Sequence, residues 1–262
     1  MDFTLLGGME IRSDERGGIP SAPKQRQVLA MLLLNANKVT YVDELSDELW
    51  GDRPPVSRHT TLQTYVYQLR RRLESPSRRT TIVTRPLGYM LQVPDGSIDV
   101  LEFQAKIEQA ARVLELEPDV AVELLEGALS LWRGPALADV VCGSVLTGYV
   151  TQLDELRICA TELLIEARMN TGHYRELVSE LKRLVHTYPF HENFHAQLVR
   201  ALSMSGRRQE AIAAYRSVRS MLRAELGIDP SPCLDDALQL ALNGPRPAGV
   251  PSLPGVRQER CG

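Results

Sequence analysis

The 262-residue chain is 44% hydrophobic, 24% charged and only 5% aromatic, which fits helix-rich packing in one or two modest domains better than a β-sandwich or a disordered chain. No apolar run reaches the roughly 18 residues of a membrane-spanning helix, and Met1 to Ile11 lacks a basic start and a long apolar stretch, so a cytoplasmic protein without a membrane partner is expected. Cys142, Cys159, Cys233 and Cys261 form no CxxC pair, which argues against a disulfide framework or a cysteine-based zinc site, and the net charge of −3 at first argues against a nucleic-acid partner.

Phe3 to Ile11 and the Gly17-Gly18 turn read as short strands, followed by a first helix over Lys24 to Ala36, where apolar residues recur at helical spacing after Ser21-Ala22-Pro23. Val42 to Trp50 reads as a second, short helix, stopped by Gly51-Asp52-Arg53-Pro54-Pro55. Ser57 is a plausible N-cap for a third helix running to about Leu73. After the Ser75-Pro76-Ser77 break, Thr80 to Val93 carries β-branched residues on both sides of Arg85-Pro86-Leu87-Gly88, the pattern of a hairpin. Three helices and a hairpin describe a winged helix-turn-helix.

Turn formers cluster at Pro94-Asp95-Gly96-Ser97, and helical periodicity resumes beyond them to about Asn243. The expected division is therefore a winged helix-turn-helix over 1–96, an all-α domain over 97–243 and a disordered tail over 244–262. Within the second domain, Gly172 to Leu177 and Gly206 to Ala211 place Gly and Glu alike at an interval of 34 residues, the period of tetratricopeptide helix pairs. Each Gly falls where a helix must end in a left-handed conformation. Trp132, before Gly134-Pro135, reads as a core anchor.

Charge is distributed unevenly along the chain. From Arg53 to Arg85 there are eight basic residues against one acid, Glu74, whereas residues 97–262 hold 17 basic and 22 acidic. On the third helix, Leu62, Val66, Leu69 and Leu73 form one stripe that must face the core. The opposite face then carries Thr60, Thr64, Tyr67 and Arg71, flanked by Ser57, Thr61 and Gln68 on one side and by Gln63 and Arg70 on the other. Such side chains match the donor and acceptor patterns of base edges in a major groove. Thr60, Thr61, Thr64 and Gln68 are the candidates for base contact, and Tyr67, Arg70 and Arg71 for phosphates. Arg85, at the hairpin tip, is placed to enter the adjacent minor groove. The candidate DNA-binding set also takes in Lys24, Arg58, Gln63 and Tyr89.

His191-Glu192-Asn193-Phe194-His195 matches HExxH, which on a helix would set two imidazoles for zinc with Glu192 as general base. A zinc hydrolase is thus one alternative, but no His follows His195 as a third ligand, and no metal or other cofactor is expected. A helical-repeat adaptor for another protein is a second alternative.

Several segments, taken together, point to a family. They are Pro23 to Leu34, Val42 to Trp50 with Pro54-Pro55, Thr61 to Val66 with Leu69 to Leu73, and Thr84 to Tyr89. Further on they are Leu129 to Leu137, Gly206 to Ala211 with Tyr215, and Glu225 to Pro230. The N-terminal half resembles the OmpR-type winged helix domain, without a receiver domain, and the whole chain resembles the Streptomyces antibiotic regulatory proteins. The second domain resembles their bacterial transcriptional activator domain, which is tetratricopeptide-like. The resemblance implies a non-enzymatic activator of a secondary-metabolite gene cluster. Such an activator would bind direct repeats near the promoter −35 region of double-stranded DNA and recruit RNA polymerase with its sigma factor. By position it implies base contacts at Thr61, Gln63 and Gln68, phosphate contacts at Tyr65, Tyr67 and Arg70, and minor-groove entry by Arg85. Direct repeats about one helical turn apart imply a second copy bound head-to-tail. Two positions depart from the family pattern: Leu87 stands where a second proline is common, and His191-Glu192-Asn193 replaces a more basic run.

Overall fold

The structure is a computed structural model in which residues 3–11, 18–73 and 80–244 are described. Gly17, Glu74, the Ser75-Pro76-Ser77 break, Arg78, Arg79, Cys261 and the tail from residue 245 onward lie outside the described residues. The chain divides into two compact units, Met1–Ala167 and Arg168–Gly262.

In the first unit, β1 (Phe3–Thr4) and β2 (Glu10–Ile11) pair antiparallel. Helix α1 (Pro23–Leu34) opens on a proline, whose missing N–H is harmless in a first turn. Its residues Val28 to Leu33 are all buried, as befits a stretch that is apolar all round, while Lys24 to Gln27 before it are polar. β3 (Thr40–Tyr41) leads into α2 (Val42–Trp50), where Glu44 Oε2 accepts the Tyr41 N–H at 3.1 Å. Helix α3 (Arg58–Leu73) begins directly after Ser57. The hairpin of β4 (Thr81–Arg85) and β5 (Gly88–Gln92) completes a three-stranded sheet in the order β3-β5-β4. This is the winged helix-turn-helix expected from the pattern of segments. Its sheet closes tightly: a Cβ on Gly88 would lie 2.3 Å from the Thr40 carbonyl oxygen, so only glycine fits there.

The same unit continues through α4 (Asp99–Val113), α5 (Pro118–Leu129) and most of α6 (Ser144–Asn170). One hydrophobic core runs from Phe3 and Leu29 through Leu69 to Phe103, Leu125 and Leu146. Trp132 anchors it as expected, set edge-on to Phe103 at 5.6 Å with the Arg157 guanidinium 4.6 Å above its ring. The turn at Pro94 to Ser97 therefore lies inside a packing unit rather than between two of them. The reason is that the N-terminal segment is seated among later residues. Phe3 donates to the Ser97 carbonyl at 2.9 Å, and Leu5 and Leu6 carbonyls accept from Leu137 and Arg133 at 3.0 and 2.8 Å.

Two buried carboxylates reinforce this joint. Asp99 accepts the N–H groups of Leu5, Leu6 and Val100 at 2.8–3.0 Å, with an Arg133 nitrogen at 3.7 Å. Burial pushes its carboxyl upward, opposed by those three donors and by Arg133. Glu48, on α2, accepts from Gln27 Nε2 at 3.1 Å, Gly143 N–H at 2.6 Å and Leu146 N–H at 2.9 Å. It thus caps the start of α6, where a carboxylate is favoured by the helix dipole. Gly143 permits the approach, since a Cβ there would lie 2.3 Å from the Glu48 carbonyl oxygen.

The second unit holds the end of α6, α7 (Tyr174–Thr187), α8 (Glu192–Met204), α9 (Arg208–Glu225) and α10 (Pro232–Asn243). Helix α7 packs on α8, which also packs on α9 and α10. Gly172 and Gly206 have φ of 85° and 81°, and in each case the next residue's N–H bonds back to a carbonyl five residues earlier, His173 to Arg168 and Arg207 to Leu202. The interval of 34 residues seen in the sequence thus marks one helix-ending motif used twice. Among the described residues, no helix is long and apolar enough to cross a membrane.

Candidate nucleic-acid interface

Helix α3 buries Leu62, Val66, Leu69 and Leu73 and leaves Thr60, Gln63, Thr64, Tyr67, Gln68 and Arg71 exposed, with Thr61 and Tyr65 half-buried at the margins. The outward ridge is flanked by two open grooves of about 560 Å³ each. One lies toward the wing and is lined by His59, Gln63, Thr84, Arg85 and Leu87. The other lies toward α1 and is lined by Ser21, Gln25, Tyr67, Gln68, Arg71 and Arg72. A polar ridge thus stands between two grooves, the second of them bearing two guanidinium groups.

Several of these groups are already oriented by the protein. Gln25 Nε2 on α1 donates to Gln68 Oε1, fixing which way that amide points. Thr64 Oγ1 donates to the Thr60 carbonyl at 2.9 Å, and Thr61 Oγ1 lies 3.5 Å from Ser57 Oγ. Lys24 Nζ sits 5.0 Å from the centroid of the Trp50 ring, and Arg58 lies 3.7 Å from Asp43. An exposed pair of that kind contributes at most about 1 kcal/mol, so Arg58 is cheaply released toward another anion. Arg85 ends β4 and is exposed.

Two candidate positions are otherwise engaged. Arg70 donates from Nε to the Ile82 carbonyl and from a terminal nitrogen to Thr84 Oγ1, both at 2.8 Å, so its guanidinium braces the wing rather than standing free for phosphate. Tyr89 is only 8% exposed and is paired across the sheet with Thr40 and Thr84, so it packs in the core while lining the inner wall of the groove toward the wing. Gln25 and His59 were not among the sequence candidates. His59 falls next to Thr60 at the start of α3, a position the helical wheel could have flagged.

The HExxH residues serve packing. His191 precedes α8 and its ring stacks on Phe194 at 4.6 Å, Glu192 accepts the Ser231 N–H at 2.6 Å, and His195 Nε2 lies 2.8 Å from the Pro189 carbonyl oxygen. Burial holds the His195 imidazole below its ordinary range, against the opposing pull of that carbonyl. Among the described residues no group of three or more His, Cys, Asp or Glu side chains is placed to hold a metal ion. Burial, then Glu48, pushes the Cys142 thiol upward, away from nucleophilic character.

Residues 98–242 match the family described as Bacterial transcriptional activator domain, and residues 16–91 match Transcriptional regulatory protein, C terminal. The regulatory protein DnrI of Streptomyces peucetius is 37% identical over 239 residues, covering 88% of both chains. The chain belongs to the Streptomyces antibiotic regulatory protein family. Another member of this family, the transcriptional regulator RedD of Streptomyces coelicolor, is 34% identical over 238 residues, covering 89% of the chain and 68% of RedD. Mycobacterium tuberculosis EmbR, solved in complex with a low affinity phosphopeptide, superposes with a TM-score of 0.85 at 33% identity. The match covers 92% of this chain and 65% of that one. The family consists of transcriptional regulators and is not enzymatic, which sets aside the zinc hydrolase.

Proposed function

We propose that this family member binds direct repeats near the −35 region of a promoter through α3 and the wing, and activates a secondary-metabolite gene cluster by recruiting RNA polymerase with its sigma factor. The observation that carries the reading is the polarity of α3: its aliphatic stripe is buried while hydroxyl, amide and guanidinium groups stand outward between two grooves. Thr60, Thr61, Gln63, Thr64 and Gln68 read base edges, Tyr65, Tyr67, Arg71, Arg58 and Lys24 meet phosphates, and Arg85 enters the minor groove. Arg70 acts through the wing that it braces. Two copies bind head-to-tail, because direct repeats one helical turn apart put identical surfaces on one side of the duplex.

Selection of bound sequences from a random duplex pool at fixed salt tests this. The wild-type chain is expected to enrich a repeated half-site, and Gln68→Ala to relax one position of it by about 1–3 kcal/mol. Selection left unaltered by both Gln68→Ala and Arg85→Ala sinks the reading. Weighing the same complexes by native mass spectrometry is expected to give two chains per full site, and one chain would remove the pairing.

A further inference from the structure

The second unit leaves an apolar surface in water at one of its ends. Tyr188, Phe190, Leu226 and Ile228 are exposed and lie on two loops, 188–191 between α7 and α8 and 226–231 between α9 and α10. The loops meet where Glu192 accepts the Ser231 N–H at 2.6 Å, with Asn193 Oδ1 3.9 Å from Cys233 Sγ. Both loops are pinned from behind. His195 Nε2 lies 2.8 Å from the Pro189 carbonyl oxygen, the Tyr188 ring is tilted on Phe194 at 5.7 Å, and the Leu226 and Ile228 N–H groups donate to the Leu222 carbonyl. Phe190 and Leu226, each 50% exposed, are thereby held away from the core. Large apolar side chains gathered at one end of a helix stack mark a surface that something covers.

The rim of this surface is acidic. Glu225 and Asp236 are exposed and have no cationic partner among the described residues, and Asp229 is paired with Arg223. Residues 245–262, beyond the segment matched by family, complement it in shape and charge. Val250, Leu253 and Val256 recur at every third residue among Pro247, Pro251 and Pro254, the period that sets side chains along one edge of a polyproline II helix. Arg246, Arg257 and Arg260 outnumber Glu259, the one acid of that stretch. Prolines deny the segment a helix or a sheet ladder, but polyproline II needs no hydrogen bond of its own and docks on aromatic surfaces at little entropic cost.

The reach fits as well. Helix α10 starts beside Glu192, and its far end is held where Arg208 donates to the Leu242 carbonyl. Its 12 residues span about 18 Å. Gly244, with φ of 76°, ends it, and the stretch from there to Val250 spans about 19 Å at the rise of polyproline II. Led back along α10, the segment brings its three aliphatic side chains to the two loops.

We infer that residues 245–262 dock in polyproline II form on the surface of Tyr188, Phe190, Leu226 and Ile228, with their arginines toward its acidic rim. Any protein that uses this end of the unit must first displace them. A segment tethered so closely has an effective concentration of about 1 mM, so a contact with a Kd of about 100 μM is about nine-tenths formed within the chain. The inference concerns the second unit alone and stands or falls apart from the DNA-binding reading.

Hydrogen exchange on the full chain, on a chain ended at Gly244 and on full-length Leu253→Asp tests it. Loops 188–191 and 226–231 are expected to exchange about tenfold faster in both variants than in wild type. The buried part of α8 around Val199 is expected to exchange alike in all three, which a folding defect would not allow. A labelled peptide of residues 245–262 is expected to bind the shortened chain with a Kd of about 100 μM, and Phe190→Ser in that chain to weaken it at least about tenfold. Loops that exchange equally in wild type and the shortened chain overturn the inference, as does peptide binding indifferent to Phe190→Ser. Loop protection that grows with protein concentration overturns it too, by assigning the surface to a second copy.

Discussion

Arg70 and Arg71 are adjacent and chemically identical, yet a helix turns about 100° per residue and gives them different neighbours. Arg70 is tied to β4 by two hydrogen bonds, whereas Arg71 is exposed on the rim of the groove toward α1. Arg71→Ala is expected to leave the melting temperature unchanged and to lower the slope of log affinity against log salt by about 1. Arg70→Ala is expected to lose about 1–2 kcal/mol of stability along with bracing of the wing, as thermal unfolding and the same salt titration would show. The difference was not legible in the sequence, because the partners of Arg70 lie on β4, beyond the Ser75-Pro76-Ser77 break. The buried stripe of α3 was legible, since its spacing alone decides which side must leave water. The burial of Tyr89 was legible too, since Tyr89 and Leu91 alternate on one face of β5 and both are buried.

At the scale of elements, the contact between α2 and the start of α6 is the least expected feature. Glu48 lies on the buried side of α2 with Leu45 and Leu49, so a charge at that position was the one hint that it had a partner elsewhere. That partner is a helix start nearly a hundred residues later, at a separation that local pattern cannot convey. Glu48→Ala leaves the Gly143 and Leu146 N–H groups without their acceptor and is expected to destabilise the first unit by about 3 kcal/mol. Gly143→Ala should destabilise it too, by forcing a methyl group against the Glu48 backbone. Chemical denaturation of both variants checks this, and wild-type midpoints for the two would refute the capping role. The helix ends at Gly172 and Gly206 were readable in advance, because the left-handed cap needs only neighbours in sequence.

For the whole molecule, the turn at Pro94 to Ser97 is a boundary in composition and in the segments matched by family, yet the packing runs straight across it. A fragment ending at residue 96 would strip away Asp99, Arg133 and the start of α6 and expose Leu5 and Leu6, whereas one ending at residue 167 keeps the shared core. The shorter fragment is expected to melt at a clearly lower temperature than the longer one, by calorimetry, and equal melting would show that the joint contributes nothing. Turn-forming residues reveal where a chain bends. They are silent on whether the parts on either side of the bend share an interior. The wing and α3 belong to the same core as α4 and α5. On the proposed reading, an operator slid half a turn around the duplex would swing those two helices to the opposite flank with it, and the phase of the site would become part of what the promoter must get right.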